Sequence, residues 1–169
     1  MFGRSGSSSS QLALIVKPVI EQIAESLIKA GYKGLISDDR TDVESATQGW
    51  NFTVFHSAEH NWIQFNMSTT NELNYQTDDA NKFNSDYRVG KAYLNTDRSG
   101  VFLKLDLLYL RDRDITEILA EYISLWNILV GSFIRSLREI HTRYEAEQEA
   151  LKREPPKPRA IAHYGEANL

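Results

Sequence analysis

From Thr116 to Arg153 the chain runs without a proline, and Leu119, Tyr122, Ile123, Trp126, Val130, Phe133, Ile134, Leu137, Ile140 and Tyr144 keep to one side at 100° per residue. That pattern specifies one long helix. Asp114 or Thr116 supplies its cap, Glu117 stands in the first turn where negative charge is favoured, and Pro155 and Pro156 end it. At about 1.5 Å per residue such a helix is roughly 57 Å long. A compact chain of this size is only about 40 Å across. The helix therefore needs a broad apolar surface beneath it and is expected to outrun that surface. The stripe thins after Ile140, so His141–Arg153 should project, bend back or meet another chain. Beside the main stripe, Ile118, Leu125 and Leu129 widen the apolar band to roughly 180°, more than a helix resting on one sheet requires. That extra ridge is either covered by the first helix or buried between subunits; with Tyr122 it is the candidate partner-binding or homodimer surface: Ile118, Tyr122, Leu125 and Leu129. Gly131 in mid-helix costs about 1 kcal/mol relative to Ala, for which close backbone approach is the expected reason.

The surface beneath the helix reads as a sheet. Trp50, Phe52 and Val54 alternate with Asn51, Thr53 and Phe55; Ile63, Phe65 and Met67 alternate with Trp62, Gln64 and Asn66. Both runs have the period of two of a half-buried strand, and Ser57–Asn61 between them has the length of a hairpin loop. Two further strands are expected at Arg88–Thr96 and Val101–Arg111, joined by the turn sequence Asp97-Arg98-Ser99-Gly100, with an edge strand near Asp42–Ala46. In the last strand Val101, Leu103, Leu105, Leu107 and Tyr109 make a wholly apolar face. A first helix is expected from Leu12 to Ala30, regular from about Lys17 because of Pro18, and stopped by Gly31. Asp78 and Asp79 start a short helix near Ala80–Ser85. The fold class is thus α+β: an antiparallel five-stranded sheet with helices packed on one face, in the order α-β-β-β-α-β-β-α. It forms a single domain over residues 12–154, between a flexible leader (1–11) and a flexible tail (155–169).

Charge and composition narrow the partners. A net charge of −4 lacks the basic surplus of a duplex-binding domain, so no nucleic acid is expected. The apolar run Leu12–Val16 is too short for an export signal, and no unbroken apolar run approaches a membrane span. The absence of cysteine excludes disulfides, thiolate metal sites and cysteine nucleophiles, and suits a reducing, cytoplasmic setting.

His56, Glu59 and His60 spell H-x-x-E-H, the pattern of an inverted zinc peptidase. That chemistry needs both imidazoles on one helix face with the carboxylate polarising water. Here the surroundings are strand–turn–strand, so the reading is a pair of loop histidines and no metal. His141 and Glu145 read as a solvated helix face. Asp38, Asp39 and Asp42 lack the spacing and mid-loop Gly of a calcium loop. No phosphate-cradling Gly-rich loop or G-x-S-x-G elbow is present. Trp50, Phe52, Trp62 and Phe65 are not interleaved with basic residues and read as packing. No catalytic residue and no cofactor are expected.

One stretch, "NKFNSDYRVGKAYLNTDRSGVFLKLDLLYL", carries a resemblance. Asn81, Phe83, Asn84, Arg88, Lys91-Ala92-Tyr93-Leu94, Asp97, Gly100, Asp106 and Thr116, followed by the helix aromatics Trp126 and Phe133, match the pattern of the YbjN-like family. The similarity spans about Leu12–Ile140. The family is described as bacterial sensory transduction regulators and resembles class I type III secretion chaperones in fold. One departure is Arg111-Asp112-Arg113-Asp114, where family members often carry Gly-Gly before the last helix. The resemblance implies a non-enzymatic, protein-binding or chaperone-like regulatory module working on a protein client or on itself. The alternative is a small-ligand sensor with a pocket between sheet and long helix. Asn81, Arg88 and Asp106 are expected to form a structural polar cluster bridging the short helix to the sheet.

Overall fold

A computed structural model describes residues 17–72, 74–110 and 113–153. The elements are α1 (Val19–Lys29), β1 (Leu35–Ile36), β2 (Asp42–Thr47), β3 (Trp50–Ser57), β4 (Trp62–Thr70), α2 (Thr77–Asp86), β5 (Lys91–Leu94), β6 (Gly100–Leu108) and α3 (Thr116–Arg153). The expected leader, the tail, Leu12, Val16 and the Arg111–Asp112 corner lie outside the described residues.

The sheet is antiparallel throughout and ordered β1-β2-β3-β4-β6-β5. It has six strands, not five. The additional strand is a two-residue piece held by pairing Leu35 with Glu44 and Ile36 with Val43. A run that short has no period of its own to read. It also displaces β2 from the edge position expected for it. β5 is shorter than expected because Gly90, at φ +74°, turns the preceding chain off the ladder.

One face of the sheet is buried. Val43, Phe52, Val54, Ile63, Phe65, Met67, Leu103, Leu105 and Leu107 form the floor, each less than a twentieth exposed. α3 lies on this floor through Trp126, whose ring sits 5.7 Å from both Phe52 and Phe65. Phe133 packs edge-on against Phe83 and Tyr75, which brings α2 to the same helix. By length and composition α3 is apolar enough to cross a membrane, with a mean hydropathy of 1.3 over its most apolar window. In this fold 39% of that window is buried inside the chain.

Local chemistry sets the helix ends. α1 closes in a Schellman arrangement: the amide of Tyr32 donates to Leu27 O (2.9 Å) and that of Gly31 to Ile28 O (3.0 Å), with Gly31 at φ +87°. The helix begins at Val19, after Pro18, rather than at Lys17. At the start of α3 the Asp114 carboxylate accepts the Thr116 amide at 2.8 Å and the Thr116 hydroxyl. These bonds hold its pKa below the usual carboxylate range. Gln22, buried on α1, ties the two helices together. Its amide donates to Lys17 O at 2.7 Å while its Oε1 accepts the Ile115 amide at 2.9 Å.

α3 runs unbroken to Arg153, and beyond Ile140 its side chains are exposed apart from half-buried Tyr144 and Gln148. The overhang is laced by the pairs His141–Glu145, Arg143–Glu147 and Glu149–Arg153. Gly131 is not placed by close backbone approach. A Cβ there would meet only the Gln48 side chain, at 3.4 Å, an ordinary contact.

Candidate functional site

His56 and His60 do not converge. His56 belongs to β3 rather than to the loop and points to the helix-covered side, where its Nε2 lies 2.7 Å from the Tyr109 hydroxyl. Burial lowers its pKa below the usual histidine value. His60 sits on the turn, with Nδ1 3.0 Å from Ser57 Oγ. Among the described residues no group of three His, Asp or Glu side chains could hold a metal ion.

The polar trio is dispersed. Asn81 and Arg88 are exposed, and Asp106 stands on the outer sheet face, where it accepts Trp62 Nε1 (3.1 Å) and Gln64 Nε2 (2.8 Å). No described hydrogen bond or ion pair joins the three. The expected bridge from short helix to sheet exists, but Asn84 makes it. Its Nδ2 donates to Ala92 O (2.9 Å) and its Oδ1 accepts the Ala92 amide (2.8 Å). Asn84 stood in the same motif. Its helix position, one turn after Ala80 and beside buried Phe83, was the available signal that it faces inward.

Two concave sites flank α3. The larger, about 400 Å³, lies between α2 and α3 and is lined by Asp79, Lys82, Phe83, Tyr87, Arg135, Ser136, Glu139 and Arg143, among others. Its charges balance, and its most buried carboxylate is already occupied: Asp79 accepts the Gln76 amide (2.9 Å) and pairs with Arg143 (3.1 Å). The smaller, about 270 Å³, lies between the ends of β3 and β4 and α3, lined by Trp50, Thr69, Thr70, Glu72, Ile134, Leu137, Arg138 and His141. It is the pocket between sheet and long helix that the sequence raised.

The candidate partner ridge on α3 divides. Leu129 is fully buried, its Cδ1 only 2.7 Å from where a Cβ on Gly90 would stand. It is a core residue covered within the chain, which corrects its place in the candidate partner or dimer surface. The wide apolar band is thus explained in part by the segment leading into β5. Tyr122 and Leu125 are half-buried against the core, and Ile118 is exposed. Leu108 and Leu110, two residues apart at the end of β6, are exposed as well, as is Val89 ahead of β5.

A family model, YbjN, described as "Putative bacterial sensory transduction regulator", matches residues 20–139. No curated protein matches the chain. A solved structure it resembles is the "Crystal structure of YbjN, a putative transcription regulator from E. coli", at 13% identity and a TM-score of 0.44, covering 81% of this chain and 96% of that one.

Proposed function

The chain belongs to the YbjN family, and on that premise we propose that it is a non-enzymatic regulatory module that works in the cytoplasm by binding a protein client, as a chaperone does. The observation that carries this reading is that Leu108 (73%) and Leu110 (63%), two residues apart at the end of β6, are both left in solvent. Large apolar side chains left exposed close together in the chain mark an interaction surface rather than a folding requirement. The polar side chains lend the reading further support, because they serve structure: His56 is taken by Tyr109, Asp79 by Arg143, Asn84 by Ala92. Affinity capture on the tagged full chain, followed by mass spectrometry and reciprocal capture, tests it. A small set of proteins recovered in both directions is expected; no protein recovered above the untagged control contradicts it.

The cavity of about 270 Å³ between sheet and α3 favours a second reading, a small-ligand sensor. A screen of metabolites by melting shift separates the two. A ligand that raises the midpoint, and loses that effect in Leu137→Trp, favours the sensor.

A further inference from the structure

The cleft between α2 and α3 lies between antiparallel helices. Asp79, in the first turn of α2, pairs with Arg143 at 3.1 Å. Gly90, just past the other end of α2, sits against Leu129, which precedes Arg143 on α3. Between these ends Phe83 packs edge-on against Phe133, with ring centres 5.6 Å apart.

Each helix presents charged residues to the cleft at three- and four-residue spacings. On α2 these are Asp79, Lys82 and Asp86; on α3, read in the opposite direction, they are Arg143, Glu139 and Arg135. The antiparallel order sets Asp79 against Arg143, Lys82 against Glu139 and Asp86 against Arg135, so unlike charges oppose at every step. The two rows are matched in length, at about 10 Å and about 12 Å. Of the three pairs the first is closed. Among the described residues Lys82, Asp86, Arg135 and Glu139 form no ion pair, and a cavity of about 400 Å³ lies between them. A volume of that order suits a small molecule. Apolar surface lines it too: Phe83 and Ile140 are buried, and Tyr87 stacks on Phe83 with ring centres 4.6 Å apart.

The open pairs decide what fits. A simple anion drawn to Arg135 also meets Asp86, and a simple cation drawn to Asp86 also meets Arg135. A molecule carrying both signs satisfies the two together, completing the pair that the helices leave open. The guanidinium of Arg135 offers a planar fork that matches a carboxylate, which a lysine does not. Ser132 and Ser136, on either side of Arg135 in the lining, add hydroxyls for the same anion. We propose that this cleft binds a free α-amino acid with an apolar side chain, its carboxylate on Arg135, its ammonium on Asp86 and its side chain on Phe83 and Tyr87.

The test reads binding of phenylalanine and leucine to the full chain by saturation-transfer NMR at about 150 mM salt. A ligand of this size is expected to bind with a dissociation constant on the order of 1 mM. Asp86 and Arg135 are exposed and unpaired, so Asp86→Asn and Arg135→Gln take no described bond from the fold. Each is expected to weaken binding at least tenfold. N-acetylphenylalanine, which lacks the cation, and phenylalanine methyl ester, which lacks the anion, are expected to lose it likewise. Arg138→Gln, in the cavity beside Trp50, is expected to leave binding unchanged. Equal binding of the ester or the acetylated form overturns the choice of a zwitterion, as does inorganic phosphate bound as tightly. Binding that survives Asp86→Asn and Arg135→Gln but falls in Arg138→Gln overturns the choice of site. Neither amino acid bound at about 10 mM overturns the proposal outright. Each of these results leaves the client-binding reading as it was, since Leu108 and Leu110 do not line the cleft.

Discussion

Gln22→Met isolates the link between α1 and the start of α3. Met matches Gln in length and in helix propensity, so the change removes hydrogen bonds with little else. Two bonds are lost. Lys17 is exposed, and its carbonyl turns to water at little cost. Ile115 is 4% exposed, and its amide is left without the 2.9 Å acceptor. An orphaned buried donor costs about 1–3 kcal/mol, and the added apolar burial of Met returns part of this. The net expectation is a loss of about 1–2 kcal/mol, or roughly 3–8 °C in midpoint for a domain of this size. Urea melts at constant m-value measure the loss, and amide exchange at Ile115 locates it. Glu25→Gln, which breaks only the exposed pair with Lys17, serves as the control. A midpoint within error of the parent, or loss of protection spread evenly over the sheet, would refute the assignment of this coupling to Gln22.

Gly90→Ala forces a Cβ at φ +74° to within 2.7 Å of Leu129 and is expected to cost about 1–3 kcal/mol in chemical melts. Gly131→Ala meets only Gln48 and should gain up to about 1 kcal/mol, visible as a higher melting midpoint. For His56 the sign is fixed by burial, which places the folded pKa below the unfolded value of about 6.5. Its stability contribution is full above that value and is lost as pH falls through it toward the folded pKa. His56→Gln should flatten this acid limb in melts taken from pH 7 to 5.

What could be read in the sequence was whatever repeats. The 100° period of α3 persists over many turns, and the alternation of Trp50–Val54 and Ile63–Met67 brackets its own turn, so the long helix and the central hairpin were legible to within a residue or two. β1 was not, because two residues carry no period and the strand exists only through its pairing with β2. The ridge of Ile118, Tyr122, Leu125 and Leu129 was legible as a stripe. Its division was not, since only the φ of Gly90 and the path of the chain before β5 decide that Leu129 is covered. The polar trio failed for a related reason. Asn81, Arg88 and Asp106 belong to one motif but share no bond in the fold, where all three are exposed, while Asn84 points back to Ala92. How far β5 extends was not legible either, being a property of two strands together and of neither alone.

The most direct measurement is affinity capture on the tagged full chain beside a variant carrying Leu108→Glu and Leu110→Glu. The account predicts a small set of proteins recovered in both directions by the parent and lost by the variant. Recovery unchanged by the two substitutions, or no protein above the untagged control, would contradict it.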